Sequence, residues 1–327
     1  MRNLIVMSTT IDWNVGDDVI RDGVMRLLNI EADNVMHLDR GIVRLESGHE
    51  SHVWRVKPNS LILDELMPCA EAFVLAGTPE WLNFMDDVWD RAVAHKVPIY
   101  AIGVGMVQEV AGPNLLRIAH DQGLLRCFTA RDYGALGMAR SVGVEDARWF
   151  VDPAFHASYP TREKTNVVVN YRLGGNTGSV RSACDEFWKK VVDKVDPDVV
   201  SVHEVSEFGR ARILFPGRDI FFSSDAKTFM GFYASCREYY GGRIHGATQV
   251  AASGGRACLF HGCPDESHPD DQRVDCVRRA TEHLNGGVRT IHYGDVDAVK
   301  LPNHGIDREI LAMDFEAHRS YLTERWP

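Results

Sequence analysis

Short apolar runs alternate with longer stretches of helical periodicity through the first half of the chain. Residues 18–28 and 80–95 carry apolar side chains at the spacing of a helix face, which predicts two amphipathic helices. The short runs predict strands at residues 4–7, 72–76, 97–104, 127–130 and 148–151. Strands that alternate with helices are typical of βα units packed on a parallel sheet. Residues 30–70 are mixed in character and predict strand and loop.

The alternation stops at residues 152–164 and then starts again. This segment, DPAFHASYPTREK, holds two prolines and lacks periodicity, which is typical of a connection between domains. The second half predicts strands at residues 165–171, 199–202, 219–223 and 257–260, helices at 182–195, 226–239 and 272–284, and a strand–loop–helix unit at 240–253. The whole pattern predicts an α/β protein of two Rossmann-like domains that face a central cleft. The first domain is predicted at residues 1–155 and the second at 165–327, with a C-terminal helix that could cross back.

The composition is that of a globular protein and argues against several classes of partner. Of the 327 residues, 45% are hydrophobic and 25% are charged, and the formal net charge is −10. An acidic surface repels phosphate backbones, so we expect no nucleic-acid partner. No apolar run approaches the ~18 residues of a membrane span, and the N-terminal run predicts a strand rather than a signal peptide. We therefore expect a cytoplasmic protein, with peripheral membrane contact and self-association left open.

Cysteine and histidine spacing argues against metal chemistry. The seven cysteines include no CxxC pair, which predicts reduced thiols, and the late histidines include no HExxH motif. The chain lacks a P-loop motif, and Gln108 stands where the G-x-G turn at residues 103–105 would need a third glycine to bind a dinucleotide. We expect neither a metal nor a cofactor.

The segment GGRIHGA at residues 241–247 carries the sharpest chemical signal. A guanidinium at Arg243 can hold a carboxylate or phosphate while the imidazole of His245 gives or takes a proton. A helix predicted to begin at Gly246 would offer free N–H groups to the same anion. The alternative interpretations are a loop histidine bonded to a carbonyl and an arginine in a surface salt bridge.

Five further candidates follow predicted strands, where open α/β sheets bind their ligands. Asn14 and Asp17 lie between the first strand and the first helix, where one aspartate can cap the helix while another accepts a proton. Gly77 lies in a turn that can bring backbone close to a ligand. Arg131 can point into the cleft or form a local salt bridge with the next residue. Arg172 precedes two glycines and can bind a phosphate or stay solvated.

The order of these segments resembles the polysaccharide pyruvyl transferase family. The resemblance spans roughly residues 10–265 and rests on N-x-G-D at 14–17, a glycine turn at 77, G-x-G at 103–105, R-D at 131–132, D-P-x-F at 152–155 and R-x-H-G at 243–246. It implies a fold similar to the GT-B glycosyltransferases, with phosphoenolpyruvate as donor and a saccharide, lipid- or nucleotide-linked, as acceptor. By the same resemblance, Arg243 and Arg131 bind the donor and His245 is the general acid.

The expected function is therefore a phosphoenolpyruvate-dependent pyruvyl transferase of exopolysaccharide or cell-wall glycan biosynthesis, which forms a pyruvate ketal on sugar hydroxyls. The near-neutral pKa of histidine suits protonation of the methylene carbon, and Asp17 could accept the hydroxyl proton. Two alternatives stay open: a GT-B-like glycosyltransferase that uses a nucleotide-sugar, and a non-catalytic anion- or saccharide-binding protein of the same fold.

Overall fold

The computed structural model describes residues 4–8, 15–31, 35–38, 55–56, 64–77, 86–105, 112–160, 163–173, 178–262 and 270–326. The chain divides into two compact units. Unit 1 comprises Met1–Ala157 together with Met313–Pro327, and unit 2 comprises Ser158–Ala312. The domain predicted at residues 165–327 thus includes a final segment that the structure assigns to unit 1.

Unit 1 contains a parallel sheet of seven strands within the described residues, in the order β3-β2-β1-β4-β5-β6-β7. The strands are β1 (Leu4–Ser8), β2 (Val35–Leu38), β3 (Arg55–Val56), β4 (Ala70–Ala76), β5 (Ile99–Val104), β6 (Leu125–Ala130) and β7 (Arg148–Trp149). Each neighbouring pair is parallel, and in the register of β1 Ile5 lies opposite Val35 of β2 and Ala72 of β4. The β5 run is buried along its whole length, because helices cover both faces of a parallel sheet.

The helices of unit 1 are α1 (Val15–Leu28), α2 (Asp86–Ala94), α3 (Gly112–Asp121) and α4 (Tyr133–Ser141). Helix α2 packs on the sheet through a fully buried aromatic side chain. Phe73 of β4 and Trp89 of α2 meet edge to face with ring centroids 6.1 Å apart. Trp89 also donates its indole N–H to the carbonyl of Leu115 at 3.0 Å, so this buried polar group is satisfied.

Unit 2 contains a second parallel sheet, in the order β10-β9-β8-β11-β12-β13. Its strands are β8 (Asn166–Asn170), β9 (Val199–Ser201), β10 (Asp219–Phe221), β11 (Cys236–Gly241), β12 (Arg256–His261) and β13 (Val288–His292). Its helices are α5 (Gly178–Val195), α6 (Val205–Leu214), α7 (Ala226–Ala234), α8 (Ile244–Ala252) and α9 (Asp270–His283). A last helix, α10 (Arg308–Thr323), begins in unit 2 and ends in unit 1.

The helix predicted at residues 226–239 is too long. In the structure α7 ends at Ala234, where Ser235 N–H donates to Phe232 O at 3.0 Å, and β11 begins at Cys236. The apolar spacing of a helix continues through Tyr239, but residues 236–241 pair with β8 and β12 instead. Long-range pairing in the sheet therefore overrides the local periodicity.

Both sheets have the strand order of a Rossmann fold, in which the chain builds outward from one central strand and then crosses to its other side. The switch point lies between β1 and β4 in unit 1 and between β8 and β11 in unit 2. The predicted α/β class with two Rossmann-like domains is confirmed. Every helix within the described segments is too short or too polar to cross a membrane.

Close packing against Pro153 accounts for the glycines at two positions of unit 1. Pro153 opens the short 3-10 helix Pro153–His156 and packs between α1 and β5. A Cβ at Gly23 would overlap the carbonyl oxygen of Pro153, and one at Gly103 would overlap its ring. The D-P-x-F segment thus fixes the end of the first domain by close packing.

Candidate functional site

The loops that follow β8, β9 and β11 converge at one edge of the unit 2 sheet. Asn170 lies opposite Ser201 in one strand pair and opposite Gly241 in the other. The carboxyl ends of the three strands are therefore level with one another, at the switch point where open α/β sheets bind ligands. This edge carries Arg172 from the first loop, and Arg243 and His245 from the third. We call it the unit 2 edge.

Arg243 is anchored by two carboxylates of helix α6 and its N-cap. Its Nη2 donates to Glu204 Oε1 at 3.0 Å and to Glu207 Oε1 at 2.9 Å. Burial opposes the charge of this guanidinium, but the carboxylates of Glu207 and Glu204 outweigh burial and raise the pKa of Arg243. Its side chain remains 22% exposed. The residue is therefore a fixed, permanently charged group at the N-cap position of α8.

Glu207 joins all three loops. Its side chain is 1% exposed and its two oxygens accept four hydrogen bonds. The donors are Leu173 N–H at 3.2 Å, His203 N–H at 2.8 Å, Glu204 N–H at 3.1 Å and Arg243 Nη2 at 2.9 Å. An ionised carboxylate can only accept, so it suits a position that four donors face. Glu207 was not predicted from the sequence: it forms a capping box with Glu204, but the sequence signature of that box has Ser or Thr at the first position.

His203 lies among the cationic groups of the unit 2 edge. Its Nε2 is 3.0 Å from the hydroxyl of Tyr233, and its ring packs edge to face on Phe229 at 4.5 Å. Burial lowers the pKa of His203 well below the usual range, and the charges of Arg243, His245 and Arg172 lower it further. The two arginines and the histidine that the sequence predicted in this half of the chain thus all lower the pKa of one imidazole. His203 itself was not predicted.

A ladder of buried polar side chains supports this edge from below. Tyr233 Oη is 2.9 Å from Ser201 Oγ, and Asn170 Nδ2 donates to Ser201 O at 3.2 Å. Tyr239 Oη is within hydrogen-bond distance of Asn170 Oδ1, at 3.2 Å, and of Arg243 O, at 3.0 Å. Burial raises the pKa of both tyrosines, so both hydroxyls keep their protons. The ladder therefore holds the backbone of Arg243 as well as the ring of His203.

Packing against Tyr239 also accounts for two glycines: Gly241, just before the R-x-H-G motif, and Gly246, its last residue. A Cβ at Gly241 would overlap Tyr239 Oη, and one at Gly246 would lie 2.8 Å from the same atom. Glycine at these positions therefore lets the tyrosine pack beneath the loop. His245 lies in the first turn of α8, is partly exposed, and accepts a hydrogen bond from Thr248 Oγ1 to its carbonyl at 3.0 Å. That Gly246 and His245 contact a ligand stays a prediction.

Arg131 has a different environment, in unit 1. Its Nη1 donates to Asp152 Oδ2 at 2.6 Å, and both side chains are buried. Asp152 also accepts from Ala154 N–H at 2.8 Å and so caps the helix Pro153–His156. The neighbour Asp132 caps α4 by accepting from Ala135 N–H at 2.7 Å. Arg131 thus pairs with Asp152, 21 residues further along the chain, a partner that neither of the two sequence-based alternatives named.

Comparisons with known proteins give the fold but no family. No family model and no curated protein matches this sequence. The UDP-GlcNAc 2-epimerase of Neisseria meningitidis, solved with UDP-GlcNAc, matches with a TM-score of 0.54 at 8% identity over 98% of this chain and 94% of that one. MnaA of Staphylococcus aureus, solved with UDP, matches with a TM-score of 0.53 at 10% identity over 99% and 91%. Alr3699/HepE of Anabaena, also solved with UDP, matches with a TM-score of 0.50 at 8% identity over 100% of this chain and 96% of that one.

The fold is similar to that of GT-B glycosyltransferases. Identities this low establish the architecture alone, so the activity has to be argued from the residues of this chain. The fold implied by the resemblance to pyruvyl transferases is thereby confirmed, whereas the family itself and its donor stay predictions.

Of the remaining predicted site residues, Gly77 lies after β4, at the switch point of unit 1. Asn14 and the side chain of Asp17 lie outside the described residues, so their predicted roles stay predictions. Gly77 follows β4 with a φ of +97°, a conformation that favours glycine, and its N–H donates to Ile102 O at 3.1 Å. Within the described segments, no group of three or more His, Cys, Asp or Glu side chains is arranged to hold a metal ion.

Proposed function

We propose that this chain is a sugar-modifying enzyme that binds a phosphate-bearing donor at the unit 2 edge. The observation that carries this proposal is the cluster at the carboxyl ends of β8 and β11, where Arg172 follows the first strand and His245 follows the second together with Arg243, which two glutamates fix. A fixed guanidinium binds phosphate oxygens through charge-assisted, bidentate hydrogen bonds. Because the two glutamates both bind Nη2 of Arg243, the geometry of this side chain is set before a ligand arrives.

The position of the cluster also supports an anion site. It lies at the switch point of a Rossmann-like sheet and at the N-terminus of α8, a helix of nine residues. The first-turn N–H groups and positive dipole end of such a helix attract phosphate. The arginines and the helix terminus therefore both attract negative charge, and the strand order places them where open α/β sheets bind their ligands.

The first candidate donor is a nucleotide-sugar. The structurally similar proteins named above were solved with UDP or UDP-GlcNAc, which supports a nucleoside diphosphate as the group that binds here. In this reaction Arg172 and Arg243 would stabilise the charge that develops on the diphosphate as its bond to the sugar breaks. His245 would hold a phosphate oxygen or supply a proton to it.

The second candidate donor is phosphoenolpyruvate, and the R-x-H-G loop favours it. In ketal formation a proton from His245 would add to the methylene carbon, and two sugar hydroxyls would attack the adjacent carbon as the phosphate leaves. Of the two hydroxyl protons, one restores His245 and the other leaves with phosphate. The arginines would bind the carboxylate and the leaving phosphate.

Calorimetric titration with UDP, UDP-GlcNAc and phosphoenolpyruvate tests the proposal. We expect the wild-type chain to bind one donor class and Arg243→Gln to weaken that binding by about 100-fold, the loss expected for charged hydrogen bonds to phosphate. Arg237→Gln is the matched control, because Arg237 is an exposed arginine at the opposite end of the same strand, β11. Absence of binding to all three compounds, or equal binding by Arg243→Gln and wild type, would contradict the proposal.

Phosphorus NMR of the reaction then separates the two donors. Release of inorganic phosphate from phosphoenolpyruvate in the presence of saccharide acceptors supports pyruvyl transfer. Release of a nucleoside diphosphate from a nucleotide-sugar supports glycosyl transfer, and epimerisation at the sugar without net release supports an epimerase.

A further inference from the structure

A chain of hydrogen bonds leads from Asn170 to the imidazole of His203, and the donor and acceptor of each bond can be assigned, starting at Asn170. Its Nδ2 lies 3.2 Å from the carbonyl oxygen of Ser201, which can only accept, so the amide nitrogen must face β9. The same Nδ2 lies 3.3 Å from Ser201 Oγ. The amide oxygen then faces the hydroxyl of Tyr239 at 3.2 Å and shares the single proton of that hydroxyl with the carbonyl oxygen of Arg243, at 3.0 Å.

The proton of the Ser201 hydroxyl fixes the next link. Ser201 is fully buried, and within the described part of the chain the acceptor for its proton is Tyr233 Oη at 2.9 Å. Tyr233 then donates its own proton to His203 Nε2 at 3.0 Å. The reverse direction would leave the Ser201 proton buried without an acceptor, which is costly for a hydroxyl group.

We propose that His203 is held as the tautomer protonated at Nδ1 and that this N–H is a hydrogen-bond donor to the anionic ligand of the unit 2 edge. The ligand half of this inference rests on the proposed function. The tautomer half rests only on the chain Asn170, Ser201, Tyr233 and His203, whose distances are 2.9–3.3 Å.

The groups around His203 keep it neutral. Arg172 follows β8, Arg243 and His245 follow β11, and all three lower the pKa of the imidazole together with burial. Glu207 accepts from the backbone N–H of His203, and Glu204 neutralises part of the charge of Arg243. From α7, Tyr233 donates to Nε2 and Phe229 covers the ring. His203 thus adds a directed donor to a cationic site without adding another charge, which suits a phosphate or carboxylate oxygen as its partner.

Nitrogen-15 NMR of the full chain labelled at histidine tests the tautomer directly. Comparison with His203→Gln assigns the resonances of His203. We expect a proton on Nδ1, none on Nε2, and no titration between about pH 5 and 8, where a free histidine would titrate. In Tyr233→Phe the Nε2-protonated form should appear, and Ser201→Ala gives a second, smaller perturbation of the same chain. An Nε2-protonated wild type, or a tautomer that neither variant changes, would overturn the inference.

Titration with UDP and with phosphoenolpyruvate tests the ligand half. A shift of the Nδ1 proton on binding, and a loss of affinity of about tenfold in His203→Phe but not in the control Arg237→Gln, support it. Binding that depends on Arg243 but leaves the Nδ1 signal unchanged overturns the role of His203 and leaves the proposed function standing. Absence of binding overturns the ligand half together with the proposed function, while the tautomer stands on its own measurement.

Discussion

Arg131 and Arg243 are both strand-end arginines, but their surroundings differ. Arg243 follows β11 at the switch point of its sheet and keeps 22% of its side chain exposed. It forms salt bridges with two glutamates, Glu204 and Glu207. Arg131 follows β6, two strands away from the switch point of its sheet, and pairs with an aspartate that is 1% exposed. The position of the strand in the sheet, together with the exposure of the guanidinium side chain, 22% for Arg243 and 10% for Arg131, thus distinguishes the arginine that we propose binds a ligand from one paired within the fold.

The largest expected loss of stability follows from breaking the Arg131–Asp152 pair in unit 1. Asp152→Ala leaves the guanidinium of Arg131 without its buried counterion and also removes the cap of the helix Pro153–His156. We expect the free energy of unfolding to fall by about 3–5 kcal/mol, as for other buried pairs that lose one partner. Urea denaturation measures it, with Asp121→Ala, an exposed carboxylate, as control. A loss as small as that of the control would show that the pair does not stabilise the fold.

A somewhat smaller loss of stability is expected when Glu207, which joins the three loops of the unit 2 edge, is replaced. Glu207→Gln replaces one accepting oxygen by an amide that donates, so donors now face a donor. We expect a loss of about 3 kcal/mol in stability, within the range for unsatisfied buried groups, and weaker donor binding. Glu204→Gln is the matched comparison, because its side chain is 39% exposed and water can replace its bonds. Equal effects of the two substitutions would remove the special role of Glu207.

A third effect concerns the glycine of the R-x-H-G loop. Gly246→Ala places a Cβ against the ring of Tyr239, and we expect a loss of about 2 kcal/mol through overpacking. Gly137→Ala is the opposite case, since Gly137 lies in α4 with nothing within 4 Å of the position that an alanine Cβ would take, and alanine should stabilise by about 0.5–1 kcal/mol. Thermal unfolding distinguishes the two signs. If Gly246→Ala is neutral in stability but lowers donor affinity, glycine is required there for ligand contact.

The smallest effect is a dependence of unit 1 stability on pH. His318 of α10 stacks on Phe150 at 4.2 Å and is 3.2 Å from Thr129 Oγ1, and burial, with a contribution from His156, lowers its pKa well below the usual value. The unfolded chain therefore binds a proton below about pH 6.5 that the folded chain does not. Stability should fall as pH drops below about 6.5, by at most about 1.4 kcal/mol per pH unit for this residue. His318→Phe should flatten that slope, and an unchanged slope would exclude His318 as its source.

Much of the fold could be predicted from the sequence because its cause is local. Strand runs separated by helical periodicity indicate parallel βα units wherever they occur, and this signal predicted both sheets. The local signal failed at Tyr239, whose helical spacing continued the periodicity of α7 although the residue pairs with β8 and β12. Sheet pairing depends on residues far apart in sequence, and periodicity carries no information about it.

The site could be predicted only where a motif is contiguous. Arg243 and His245 stand out because glycines flank them in a single loop. The partners that complete the edge come from other segments, as His203 meets Tyr233 across 30 residues and Tyr239 meets Asn170 across 69. Nothing in the local sequence marks these contacts before the strand order is known.

A crystal structure of the chain with UDP-GlcNAc or phosphoenolpyruvate bound tests the central claim most directly. We predict phosphate oxygens within hydrogen-bond distance of the side chains of Arg243 and Arg172, with the Nδ1 atom of His203 facing an oxygen of the ligand. A donor phosphate bound elsewhere, with Arg243 still held by Glu204 and Glu207 and contacting no ligand, would contradict that claim.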